Sequence, residues 1–494
     1  EYESDDWRLS TVIGKSDSKS RTMQSSTWWG NHSNKNNTSY TLDLNGPVEF
    51  HLANPDYPKD HSKMELYNEF TYLEIKYDNE ISYYQADFAY NLDNGIFTTV
   101  ELGLKYQEQS FDARIDWNNV DVANAMAQGL TLDDFNGGQV SGLHSQHARS
   151  GSVTAFAVAD TDKLWNYGHN NQGDLYIKTD FSIEEDITAA YVKGNFSGEG
   201  FRGNVGLRLV DTTVNSQGMN GDNNPNDYLT DKESYTNILP SINLVGDISD
   251  SLIFRFAAGS TVSRPNYDAM QMATIISESF GTATIGSPDI KPYKSDQYDL
   301  GLEWYFNDAS LVSGTFFQKN ISDYIEKTLT QENMEGCSAT CMVTRYENAG
   351  SAVVSGFELQ YQQDFGNGFG VQANYTYTDS ELTNKAGKKV RMHGVSQNSY
   401  NLAGYYENEL FSVRVAYNAR DEWTVSSADS FALAEPFDQV DASVVWHATD
   451  NINLSFEAVN IFNEALVQKD TFSNQPFIID EYGTRYFVGA SVKF

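Results

Sequence analysis

Apolar side chains in this chain recur at every second residue, segment after segment. Nowhere do they gather into the ~18 to 20 consecutive apolar residues that a membrane-spanning helix requires. In "YDLGLEWYF", Tyr298, Leu300, Leu302, Trp304 and Phe306 share one parity and Asp299, Gly301, Glu303 and Tyr305 the other. Successive side chains of a strand point to opposite faces, so each such segment is a strand with one apolar and one mostly polar face. "VQANYTY", "FSVRVAY", "VDASVVWH" and "NINLSFEA" repeat the period, as does the terminal "RYFVGASVKF", where Tyr486, Val488, Ala490, Val492 and Phe494 oppose Arg485, Gly489, Ser491 and Lys493.

Short polar turns join these segments into hairpins: "NLDNG" (91–95), "SGEG" (197–200), "GDISD" (246–250), "NDAS" (307–310), "GNG" (366–368), "ENE" (407–409) and "ATDN" (448–451). Between hairpins lie long polar stretches, near 17–78, 113–183, 214–233, 264–292, 326–351, 381–393, 422–435 and 462–480. This predicts an all-β, antiparallel up-and-down meander of about 16 strands with two unlike rims. Strands of about 10 to 14 residues cross a hydrocarbon layer at a tilt, and many begin or end in Tyr, Phe or Trp, as interfacial girdles do. A transmembrane β-barrel reconciles this with a mean hydropathy of -0.51, because only every second residue meets lipid. A secreted β-sandwich or β-helix adhesin is the rival. The pattern spans 1–494 as one barrel domain; no plug-like segment and no second domain is evident.

Charge narrows the function. With 68 acidic against 33 basic residues, a formal net charge of -35, the chain lacks the basic face that nucleic acid demands. Glu1 is not an initiator Met and no secretory signal lies near it, so the chain reads as mature or truncated. Cys337 and Cys341, in "EGCSATCMV", have no zinc-ligand companions and read as a small loop disulfide, with two free thiols as the alternative.

The stretches "DITAAYVKGNFSGEGFRGNVGLRLVDT" (186–212), "LIFRFAAGSTVSRPNYDAM" (252–270), "GSPDIKPYKSDQYDLGLEWYF" (286–306), "NAGSAVVSGFELQYQQDF" (348–365) and "NINLSFEAVNIFNEA" (451–465) resemble the barrel of TonB-dependent outer-membrane receptors of Gram-negative bacteria. The likeness covers most of 180–494; residues 1–180 share mainly the strand pattern. It implies a barrel of 22 strands, an N-terminal plug and a TonB box. The plug, the box and about six strands are therefore expected to lie outside these residues. The resemblance implies location in the outer membrane, with the C-terminus at the periplasmic rim and the long loops extracellular. It also implies TonB, the barrel assembly machinery, lipid and lipopolysaccharide as partners. "RPNYDAM" and "GSPDIKPY" are similar to a subgroup associated with oligosaccharide uptake, so an oligosaccharide is the expected cargo. A ferric siderophore or vitamin-like cofactor is the rival within the family, and a passive porin or surface adhesin the rival class.

A neutral polyol is gripped by aromatic faces and planar hydrogen-bonding groups. Candidate contacts in the long loops are Trp28, Trp29 and His32 in "STWWGNHSN", Trp165, Tyr167, His169 and Asn170 (with Asn171) in "KLWNYGHNNQGD", and Asp421, Glu422 and Trp423 in "RDEWTV". Each could equally pack its own loop. Tyr486, Val488, Val492 and Phe494 resemble the terminal assembly signal of such barrels, and the same alternation would also close the sheet. "GDNNPNDY" (221–228) lacks the turn Gly and distant Glu of a calcium loop, and His144 with His147 makes a weak metal pair. Arg264 and Pro265 are expected to shape a strand exit. No metal or cofactor is implied, and no nucleophile is spaced with a base as an enzyme needs.

Overall fold

The computed structural model describes residues 1–494 except 31–39, 44–48, 93–94, 143–152, 222, 278–280, 335–339, 426–431, 471–475 and 494. Sixteen long strands run in chain order: β1 Trp7–Gly30, β2 Glu65–Asn91, β3 Phe97–Val120, β4 Gln172–Gly198, β5 Phe201–Met219, β6 Tyr228–Ser249, β7 Leu252–Ser263, β8 Tyr293–Asn307, β9 Ser310–Asn333, β10 Thr340–Asp364, β11 Phe369–Thr383, β12 Asn398–Glu407, β13 Phe411–Arg420, β14 Phe437–Thr449, β15 Ile452–Val459 and β16 Arg485–Val492. Each pairs antiparallel with the next, and four short segments complete a 20-stranded sheet. The meander and its strand number match the alternation in the sequence. Among the described residues no pairing joins β1 to β16: β1 pairs with β2 and Tyr2–Glu3, and β16 with β15.

The expected turns lie together at one rim, each closing a hairpin. Gly200 takes φ +73° in the β4–β5 turn, and Gly368 takes φ +85° in the β10–β11 turn, where a Cβ would fall on the carbonyl of Glu407. Left-handed backbone and that close approach both favour glycine.

The apolar parity points outward. Tyr298, Leu300, Leu302 and Trp304 are 47% to 51% exposed, and Phe316, Leu359, Leu402 and Val415 on neighbouring strands are similarly bare. An exposed apolar band of this extent is what lipid covers. On β3 it runs from Phe97 to Tyr106, roughly 33 Å of extended chain at ~3.3 Å per residue, or about 25 Å of depth once the strand tilts. Above Tyr106 the outward residues become Glu108, Ser110 and Asp112, facing Asp186, Glu184 and Ser182 on β4. That level lies outside the hydrocarbon.

The strands do not stop there. β1, β2, β3, β4, β6, β9 and β10 have 22 to 27 residues, which corrects the expectation of 10 to 14 and trims the long stretches to about 31–64, 121–171, 220–227 and 334–339. A strand needs paired backbone, not an apolar face. Outward parity turns polar where the membrane ends, while the hydrogen-bonded ladder continues.

Candidate ligand-binding site

At the long-loop rim over β1–β4 the connections fold into a cap. Helix α1, Val122–Ala127, is capped by Asp121, whose carboxylate accepts from Asn124 N at 2.9 Å; helix α2, Thr161–Asn170, is capped by Asp160, which accepts from the amides of Asp162 and Lys163 at 3.0 Å. Such caps satisfy amides that helix starts leave unpaired. The cap closes over buried Leu66, Phe70, Val120 and Ala125.

Two of the predicted aromatic groups meet here. Trp29 lies 5.6 Å from Phe135 and donates from Nε1 to Thr27 Oγ1 at 2.8 Å, while Tyr167 packs against Phe70 at 5.6 Å and Phe135 at 5.4 Å. Trp165 packs on Tyr72 at 4.8 Å, with His169 6.0 Å from the same ring. Trp29, Trp165 and Tyr167 thus spend their faces on the cap itself. Trp28, beside a β-bulge, is 52% exposed, and His169 and Asn170 at the end of α2 are exposed as well. His32, His144 and His147 lie outside the described residues.

The third group sits apart, at the top of β13. Trp423 is 8% exposed and lies under the Arg420 guanidinium, 3.5 Å from the ring centroid. Asn398 Nδ2 donates to the Asp421 carboxylate, and Ser396 Oγ donates to the Asp421 carbonyl at 2.9 Å. Asp421 and Trp423 hold the rim together; Glu422 is exposed.

A concavity on the lumenal side of this region involves residues that the pattern assigned elsewhere. Beyond β7 the chain turns back against the inner wall: Ala269, Met270, Gln271 and Ala273 are buried, the cluster including Ala113, Phe181, Ile183 and Val214. A Cβ on Gly218 would fall on the backbone at Ala273, and one on Gly286 on the Gln271 carbonyl; glycine lets the returning chain seat. Between this segment and β1–β4 lies a cavity of about 640 Å³. Its wall comes from lumen-facing side chains at one level: Ser18 opposite Asn79, Asn79 opposite Phe111, Ser20 opposite Tyr77, and Gln109 opposite Glu185. Tyr77, Phe111 and Tyr267 form a stack, with centroids 5.7 and 4.4 Å apart. Gln109 Nε2 donates to the Tyr267 hydroxyl and contacts Asn79 Oδ1 at 3.4 Å.

Behind the stack, Arg264 Nε stands 3.7 Å from Glu185 Oε1, and Arg264 Nη2 donates to Thr212 Oγ1 at 3.1 Å. Glu185 is 3% exposed. Burial raises its carboxyl above the usual range, and Arg264 opposes that rise. Burial also pushes the Tyr267 phenol up to about 12, with Glu185 adding to the rise. Among the described residues, Glu185 Oε1, Arg264 Nε and Tyr235 Oη have no hydrogen-bond partner. Arg264 therefore does more than shape a strand exit. Ser18, Ser20 and Tyr77 were expected in a loop and the cavity is assembled across distant strands, so pattern alone could not gather them; the "RPNY" following β7 is the signal nearest to it.

Cys341 is fully buried beside Val343 and disulfide-bonded; Cys337 lies outside the described residues. In 221–228, Asn223 takes φ +53° and ties to Ile177, its amide donating at 2.8 Å and its Oδ1 accepting at 3.2 Å. Among the described residues, no group of three or more His, Cys, Asp or Glu could hold a metal ion. Tyr486, Val488 and Val492 are exposed on the outward face of β16 and Phe494 lies outside the described residues.

The family model for the TonB dependent receptor-like β-barrel matches residues 5–461. A stretch of 102 residues is 32% identical to a probable TonB-dependent siderophore receptor, PiuA, of Acinetobacter baumannii, covering 21% of this chain and 12% of that protein. The ferric-catecholate import receptor Fiu of E. coli K12 superposes with a TM-score of 0.62 at 14% identity, over 99% of this chain and 62% of that one. The ferric yersiniabactin uptake receptor FyuA of Yersinia pestis gives 0.58 at 13% identity, over 99% and 59%. The chain thus spans less than two thirds of these relatives, and at these structural identities the likeness is one of fold. With the meander, the lipid-facing band and a family match over most of its length, this chain belongs to the TonB-dependent receptor β-barrel family of the Gram-negative outer membrane, with its short turns at the periplasmic rim and its long loops outside.

Proposed function

We propose that this chain forms the wall of an energised importer that carries a ferric chelate across the outer membrane, with TonB supplying the coupling and the assembly machinery inserting the barrel. The observation that carries the choice of cargo is the stretch 32% identical to a probable siderophore receptor; receptors named for ferric chelates among the similar folds support it. It replaces the oligosaccharide first suggested by "RPNYDAM" and "GSPDIKPY". The function is transport rather than catalysis. Among the described residues the outer edge of β1 pairs only with Tyr2–Glu3 and that of β16 with no strand, which fits a wall completed by further strands, since exposed backbone N–H and C=O groups are not tolerated in hydrocarbon. A deletion strain grown under iron restriction with single ferric chelates tests the reading. Loss of growth on one chelate, restored by the gene, is the expected result. Undiminished growth on every chelate, together with lost growth on an oligosaccharide, would return the cargo to sugar, for which the stacked rings and amides of the lumenal cavity are also suited.

A further inference from the structure

The lumenal cavity differs from the rest of this acidic protein in one respect: the residues that β1, β2 and β3 give its wall are all uncharged. At its level the outward faces of β1, β2 and β3 bear Asp17, Lys19, Asp78, Glu80, Glu108 and Asp112. The inward faces of the same strands carry Ser18, Ser20, Asn79, Gln109, Tyr77 and Phe111. The charges that do border the cavity are Arg264, Glu185 and Asp268. Arg264 is already engaged by buried Glu185. With Arg264 and Glu185 set against each other, Asp268 is the charge left over among the described residues of the wall, and it would repel an anion. What the cavity offers is a stack of three rings, the amides of Asn79, Gln109 and Asn266, the hydroxyls of Ser18 and Ser20, and behind them polar atoms without a hydrogen-bond partner among the described residues. Its volume of about 640 Å³ is that of sites for molecules of several hundred daltons.

We propose that this cavity seats an electroneutral chelate, its apolar faces against Tyr77, Phe111 and Tyr267 and its carbonyl and hydroxyl groups on Asn79, Gln109, Ser18 and Ser20. This rests on the reading of the cargo as a ferric chelate and deepens it. Three hydroxamate monoanions neutralise ferric iron, whereas three catecholate dianions leave a trianion. The cargo class is therefore the uncharged trihydroxamate type, in contrast to the catecholate named for the Fiu receptor.

The purified full-length receptor in detergent is titrated with a ferric trihydroxamate and with a ferric tris-catecholate, followed by quenching of intrinsic fluorescence. Wild type is expected to bind the neutral complex at least about tenfold more tightly, the size of effect that unbalanced charge produces at partly screened sites. Ser20→Trp fills the cavity from an exposed lumenal position and should weaken binding about tenfold or more. Ser20→Lys should shift preference toward the trianion. Folded-band migration on unheated gels and strand content by circular dichroism confirm that each barrel has formed, and Ser18→Trp replaces any variant that has not. Tighter binding of the trianion by wild type overturns the charge argument. Binding of a chelate that Ser20→Trp leaves unchanged overturns the cavity assignment while the ferric-chelate reading stands. Failure of both chelates, with binding of an oligosaccharide, overturns the cargo reading and this inference with it.

Discussion

Replacing Arg264 with methionine keeps much of the side-chain volume and removes the guanidinium that stands 3.7 Å from Glu185. Breaking a buried pair costs about 3 to 5 kcal/mol, and because Arg264 is about a third exposed the lower figure, about 3 kcal/mol, applies at pH 8. The cost depends on pH with a definite sign. Burial raises the folded-state pKa of Glu185 above its ordinary 4.5 and Arg264 pulls it back. A raised folded pKa contributes stability that is complete below the unfolded value and is lost as pH rises through the folded one. Removing Arg264 removes the opposing influence, so the folded pKa climbs further and the penalty grows between pH 5 and pH 8. At pH 5, nearer the ordinary carboxyl value, more of Glu185 is neutral than at pH 8, and the penalty should fall toward the ~1 to 2 kcal/mol of a buried polar group short of a partner. Tyr235 and Tyr267 stay neutral throughout, since burial raises both. Guanidinium unfolding of the detergent-solubilised protein, read by tryptophan fluorescence at the two pH values, measures the difference. Adding Glu185→Gln to Arg264→Met should recover most of the loss at pH 8. An Arg264→Met penalty equal at both pH values, or no recovery in the double variant, would refute the reasoning.

Asp116, 2% exposed, accepts from Lys76 and Arg114 at 2.7 Å each above the membrane band; burial raises its pKa, and the two cations outweigh that and lower it. Asp116→Asn should cost about 2 to 3 kcal/mol at pH 7, and less as wild-type stability falls with pH through the depressed folded pKa. Urea titrations at pH 7 and pH 3.5 check it. Trp423→Ala removes a buried ring from beneath Arg420 and should cost about 3 kcal/mol while leaving chelate affinity unchanged in the same fluorescence titration. Gly218→Ala places a methyl on the backbone at Ala273 and should unseat the returning segment, so proteolysis within 264–290 should rise with strand content intact. Deletion of Phe494 should lower the amount of folded barrel in outer-membrane fractions, and normal assembly would remove the terminal signal from consideration. Mass spectrometry of unreduced peptides should show Cys337 linked to Cys341.

The meander, its turns and the outward apolar parity were legible in the sequence because they are local. Side-chain alternation is a property of consecutive residues, and a turn such as "SGEG" announces itself within four. Strand length was less legible: "KSDSKSRTMQSS" has no apolar parity, and only pairing with β2, from Trp7 opposite Tyr90 to Gly30 opposite Glu65, keeps it extended. The loop aromatics were found by type, yet type could not tell the exposed ring of Trp28 from the packed faces of Trp29, Trp165, Tyr167 and Trp423, since packing depends on what each ring meets. The sequence by itself determined that this chain is a membrane barrel wall with one rim of turns and one of loops, because hydropathy and period are written residue by residue. Only the tertiary structure decided that Ser18, Tyr77, Asn79, Gln109, Phe111 and Glu185 stand at one level of the lumen beneath Arg264 and Tyr267, because register across four strands and a chain folded back from the β7–β8 connection are non-local facts.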